Sequence, residues 1–348
     1  MNSRERVLLA LDHRRTDRAP ANFHANPDMT ERLLASQGLQ TEEELLQALH
    51  IDFRRVNMDY AQPDTGPDAD GYIRSMWGLR WNPDLPADHP ERVIVPFTED
   101  STVEEVLAHQ WPVADALDYS RVREQCARYH GEFITYGAPW CPFFHEVGWL
   151  IGQENLYMWM ISRPDLVDAI IAGFVDYEVA VTRRFLEACD GLLDITYFGN
   201  DFGTQRGLFI SPAHWERFFR QPLKRFFDVS HEYGCKVMKH SCGSVRAIIP
   251  SMIEDGVDIL DPVQVRAEGM SLESLVRDFG DRLCFHGGVD TQRTLPFGTT
   301  DDVRAEVRSY LALTRDRGGY ILNGSQNFIA DIPDENILAM YDENLKGY

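Results

Sequence analysis

Long apolar runs, basic blocks and closely paired cysteines are all missing from this 348-residue chain. The opening stretch MNSRERVLLALDHRR holds five uninterrupted apolar residues, 7–11, before Asp12 ends the run. That is too short for a signal-peptide core or a membrane span, so no membrane partner is expected and the expected location is cytoplasmic. Lys and Arg number 34 against 55 Asp and Glu, a formal charge of −21, and no Lys/Arg-rich block interrupts the excess. A polyanion would be repelled, which excludes nucleic acid as the expected ligand. The six cysteines, at 126, 141, 189, 235, 242 and 284, are scattered. A disulfide framework is therefore not expected, and most of these thiols read as small core residues. No repeat of fixed period is present, and no G-x-G-x-x-G follows an early strand, which argues against a dinucleotide-binding sheet.

What the chain does have is an apolar fraction of 44% in a length that one closed α/β barrel occupies, so a single domain over residues 1–348 is expected. Short apolar runs at 193–198, 235–240, 257–260, 282–286 and 319–323 each precede a helical pattern, and 132–136, 52–58 and 19–23 supply three further strand candidates. The helix ends are legible as well. Ser211 with Pro212 forms an N-cap and first-turn pair, Ser244 is placed to cap a helix ending at Gly256, and Thr299 or Thr300 opens one ending at Gly318 and Gly319. Residues 62–71, rich in Pro, Asp and Gly, read as a loop. Alternating βα units require parallel strands, and polar, Gly-rich stretches follow so many of them that convergence on one mouth is the natural solution. The expected fold is α/β, a (β/α)8 TIM barrel.

Those strand ends carry the chemistry. In KVMKHSCGSVRAIIP, residues 236–250, His240 and Cys242 stand two apart directly after a strand. Imidazole and thiolate are preferred zinc ligands, and a catalytic zinc needs a third ligand from another strand end. The same pair also fits an activated thiol before a helix N-terminus, or a packed cysteine beside a hydrogen-bonded histidine. Asp59 follows the 52–58 strand as a candidate buried carboxylate. His145 and Glu146 lie side by side in an aromatic setting, as a general acid, base or metal ligand or as an internally satisfied pair. Asn200 and Asp201 end the 193–198 strand between glycines, and Gln264 and Asp290 stand at two later strand ends. The aromatic residues read as core.

The motifs SRERVLLALDHRRTDRAP, GAPW at 137–140, SPAHWERFFRQP at 211–222, HSCG at 240–243, FHGGVDTQ at 285–292, LPFGTTDDVRAEVR at 295–308 and DIPDENILAMYD at 331–342 run over nearly the whole chain. With them the sequence resembles the uroporphyrinogen decarboxylase superfamily, whose fold is a (β/α)8 barrel. The resemblance implies one of two activities. True decarboxylases carry an Arg-rich anion clamp where this chain has FHANPDMTERLL; of their other active-site positions Asp59 is kept, whereas His145, Asn200 and Gln326 replace Tyr, Ser and His. The zinc methyltransferase branch is matched at His240 and Cys242, two of its ligands, while Gln326 stands where it has a Cys. The branch resemblance therefore implies either a zinc site completed by Glu146, Asp201 or another carboxylate, or a site whose metal is weak or absent. It also implies methyl transfer between a small methylated substrate or thiol and a corrinoid held on a separate partner protein. Family members often pair, so a homodimer is the assembly the resemblance suggests. A metal-independent decarboxylase of a tetrapyrrole or smaller carboxylated ring is the competing expectation.

Overall fold

The structure, a computed structural model, describes residues 1–58 and 66–347; Asp59 lies outside them. Ten strands are β1 (Phe53–Arg55), β2 (Ile73–Arg74), β3 (Arg80–Trp81), β4 (Val93–Ile94), β5 (Ile134–Gly137), β6 (Ile195–Phe198), β7 (Lys236–His240), β8 (Ile259–Asp261), β9 (Cys284–His286) and β10 (Tyr320–Ile321). Seven of them form one parallel sheet in the order β1-β5-β6-β7-β8-β9-β10. That order follows the chain, as repeated βα units require. β5 and β6 are buried along their whole length, which suits near-continuous apolar strands covered on both faces.

The segment 19–23, expected as a strand, makes ladder-like bonds at the edges of this sheet. Ala21 forms a parallel bridge with Leu322, and Leu322 N–H donates to Pro20 O at 2.8 Å. On its other side, Asp52 N–H donates to Ala21 O at 2.9 Å. β2, β3 and β4 form a separate three-stranded antiparallel sheet that the sequence pattern did not announce, because two-residue strands carry no readable alternation.

Helices cover the sheet. The helix Pro164–Cys189 buries Leu166, Val167, Ile170, Ile171, Phe174, Val175 and Val181 along one stripe. Ser211 accepts from His214 N–H as the expected N-cap, and Thr299 forms a capping box with Asp302 ahead of the helix Thr300–Thr314. Ser244 is a correction: its hydroxyl donates to Glu268 O, and the chain turns through a 3-10 segment, Arg246–Ile248, before the helix Ile249–Glu254 begins. No α-helix dipole therefore points at Cys242 from that cap. Among the described residues no helix is long and apolar enough to cross a membrane.

Candidate active site

Strand register builds the centre of the site. β7 pairs with β8 so that His240 stands opposite Asp261, at the carboxyl ends of both strands. His240 Nδ1 lies 2.7 Å from Asp261 Oδ2, and the Tyr197 hydroxyl donates to the same oxygen at 2.6 Å. Asp261 Oδ1 meets His286 Nδ1. A carboxylate held this way fixes the ring of His240, directing Nε2 outward. Nε2 then lies 3.2 Å from Cys242 Sγ and 3.3 Å from Asp201 Oδ1.

Two loops have to meet for this to happen. Cys242 N–H donates to Asp201 Oδ1 at 2.8 Å, Gly243 N–H to Gln264 Oε1 at 2.7 Å, and Ser244 N–H to Thr204 O at 2.7 Å. Gly243, at φ +78°, and Gly203 pack backbone against backbone; a Cβ on Gly243 would sit 2.4 Å from the Gly203 carbonyl. Only glycine permits that approach.

The electrostatics agree with the geometry. Burial disfavours charge on His240, but its hydrogen bonds to Asp201, Asp261 and Cys242 outweigh burial and hold its pKa well above the usual imidazole range. Burial likewise opposes ionisation of Asp201, yet His240 and the Cys242 N–H hold its carboxyl below the usual range. A pocket that retains a proton so firmly favours a cation. The donor set also fits zinc. Tetrahedral ligand atoms at ordinary Zn–N, Zn–O and Zn–S lengths stand roughly 3.3–3.6 Å apart. Asp201, His240 and Cys242 supply one oxygen, one nitrogen and one sulfur within 4.8 Å of one another.

A cavity of about 450 Å³ opens over these three residues. Its walls include Asn22, His24, Arg55, Tyr136, Trp140 and Tyr197, with Gln326 at the end nearest Cys242. Gln326 Nε2 lies 2.7 Å from Cys242 Sγ, so the amide occupies the place next to the thiol. Trp140 stands 5.0 Å from the His240 ring, centre to centre, an active-site contact where the sequence reading gave aromatics only core roles. His24 is kept neutral, its pKa pushed down to about 3 by burial, and its Nε2 bonds the Tyr136 hydroxyl and the Asn22 amide.

Of the expected site residues, Asp201, His240, Cys242 and Gln326 come together. Asn200, His145, Glu146, Gln264 and Asp290 do not line the cavity. Asn200 Oδ1 accepts from Phe144 N–H, Gln264 braces Gly243, and Asp290 accepts from the N–H groups of Gln292 and Arg293 in its own turn. His145 is half-buried, and burial lowers its pKa. Glu146 is pushed up to about 8 by burial and by the neighbouring charge of Glu178. Sequence reasoning missed His24, Arg55, Trp140, Tyr197 and Asp261; a signal existed for Asp261, which ends the strand pattern at 257–260.

These features define an α/β protein whose polar cavity opens at the carboxyl ends of parallel strands. Residues 129–344, more than half of the chain, match the model of the uroporphyrinogen decarboxylase (URO-D) family, and the chain belongs to that family. A solved methyltransferase from Methanosarcina mazei is similar over 99% of both chains, with 16% identity and a TM-score of 0.62, a likeness of fold. A sugar phosphate isomerase/epimerase from Parabacteroides distasonis is similar over 68% of this chain and 76% of its own, with 7% identity and a TM-score of 0.29. No curated protein matches the sequence.

Proposed function

We propose that this protein is a zinc-dependent methyltransferase of the URO-D superfamily, with Asp201, His240 and Cys242 as the metal ligands. The observation that carries the reading is the convergence of carboxylate oxygen, imidazole nitrogen and thiol sulfur around His240 Nε2. Asp201 takes the place left open by Gln326, which stands beside the thiol instead of ligating. Bound zinc would supply Lewis acidity, keeping a substrate sulfur deprotonated or drawing charge from a leaving oxygen. Asp261 orients His240, Tyr197 holds Asp261, and Trp140 with Tyr136 walls a small-molecule substrate away from water. The methyl group would pass to or from a corrinoid on a partner protein. We also read the 20–22 segment as the eighth stave of a closed barrel, joining β1 to the β10 side by its bonds to Asp52 and Leu322.

A decarboxylase acting on a many-carboxylate ring is less well supported. Arg32, the one arginine in the segment that replaces the anion clamp, is spent on Asp334 and on the carbonyls of Ala330 and Ile332. Among the described residues lining the cavity, Arg55 is the one Lys or Arg. That suits a ligand with a single anionic group.

Metal analysis tests the reading. Purified protein should retain stoichiometric zinc, His240→Ala and Cys242→Ala should lose it, and only the loaded wild type should demethylate methylcobalamin in the presence of a thiol. Equal zinc in all three proteins would remove the metal assignment.

A further inference from the structure

Lys239 is fully buried on β7, at a position where a parallel strand ordinarily carries an apolar side chain. Among the described residues no carboxylate lies within ion-pair distance of its ammonium. Instead Nζ donates to the carbonyl oxygens of Gly199 at 2.9 Å, Asn200 at 3.1 Å and His240. A buried cation without a counter-ion is costly, and a methionine would fill the same volume at no such cost. The ammonium can do something a methionine cannot. It ties two carbonyls of the loop leading to Asp201 to the end of β7, where it also meets the carbonyl of His240. Asn200, which bears one of those carbonyls and directly precedes Asp201, sits at φ +126°, a strained backbone for a non-glycine residue that must be held in place by its surroundings. The Phe144 N–H holds its side chain, and Lys239 holds its carbonyl.

We propose that Lys239 is the positioning residue of this site, fixing the 199–201 backbone against β7 so that the Asp201 carboxylate stays beside His240 Nε2. The proposal rests on the metal reading given above. It makes Lys239 act through Asp201, and that pathway has its own signature.

The experiment is a double-mutant cycle on zinc affinity, read by competition with a chromophoric chelator, for wild type, Lys239→Met, Asp201→Asn and the pair combined. Lys239→Met should weaken zinc roughly 10–100-fold, the usual effect of removing a group that orients a ligand. The double variant should bind no more weakly than Asp201→Asn alone. Cobalt-loaded Lys239→Met should show an altered visible spectrum, because a carboxylate has left or shifted. Additive losses, or unchanged affinity in Lys239→Met, would overturn the positioning role while leaving the metal site standing. A wild type that binds no zinc overturns the metal reading and the positioning role with it. If Lys239→Met does not fold, Lys239→Gln, a shorter and neutral donor, replaces it in the cycle: zinc should weaken in the same direction and the pair with Asp201→Asn should bind no more weakly than Asp201→Asn alone, whereas additive losses or unchanged affinity would overturn the role.

Discussion

Two adjacent arginines end β1, and the pleat sends them to opposite destinies. Arg54 is engaged by Glu43 at 2.8 Å and by the carbonyls of Ile51 and Phe53, and its guanidinium lies 3.8 Å from the Phe133 ring centre. Arg55 faces the cavity, and among the described residues it has neither a hydrogen bond nor an ion pair. Its Cζ is 5.9 Å from the Tyr197 ring centre, and that ring is 6.2 Å from the His240 ring. An anionic ligand could thus bond Arg55 at one end while its reacting group faces His240. Small aromatic and aliphatic carboxylates should raise the melting temperature of the wild type more than their amides do. Arg55→Gln should lose that discrimination, with carboxylate affinity falling roughly 10–100-fold, as expected for a hydrogen-bonded charge. Equal shifts for both proteins would remove Arg55 from recognition. Period-two alternation marks Arg54 and Arg55 as facing opposite ways; which of them met a carboxylate depended on a helix elsewhere in the chain.

At the scale of elements, the loops after β6 and β7 behave as one unit. They are joined by the Gly203–Gly243 contact, by the Cys242 N–H to Asp201 and by the Phe202 N–H to Ser241 Oγ at 2.9 Å. Gly243→Ala should therefore be disproportionately harmful for a single methyl. It forces an L side chain into positive φ and into the Gly203 backbone, a strain of about 1–3 kcal/mol. The expected result is a lower urea midpoint together with weaker zinc retention, since the same contact holds Cys242 and Asp201 side by side. A stability loss with zinc affinity intact would show that the loops can separate without disturbing the ligands.

Across the whole molecule, acidity is not confined to the surface. Glu178 lies buried in the helix Pro164–Cys189 and accepts from Cys141 Sγ at 3.2 Å; burial pushes its pKa up to about 7. Glu146 is raised to about 8, by burial first and then by Glu178. Both folded-state values stand above the ordinary 4.5, so the folded chain binds more protons than the unfolded chain in the interval between. This contribution to stability is complete below about pH 4.5 and is lost as pH rises through roughly 7 to 8. Glu178→Gln should flatten the decline in urea midpoint between about pH 4.5 and pH 8 relative to wild type. Parallel pH profiles for the two proteins would mean that Glu178 is not held protonated.

The order of βα units, the capped helices and the pairing of His240 with Cys242 were set by local chemistry, because strand alternation, N-caps and two-residue spacings are properties of neighbouring residues. The expectation that all polar strand ends share one mouth held only in part, since Asn200, Gln264 and Asp290 lie outside the cavity. Tertiary structure decided what no spacing encodes. It brought Asp201 beside His240 and Cys242, set Gln326 beside the thiol, put Asp261 behind His240 through the β7–β8 register, and left Glu146 out of the cavity. It also replaced the Ser244 cap with a bond to Glu268. Clusters of this kind join residues tens of positions apart, and their distances follow from how strands register and loops pack once the core has closed.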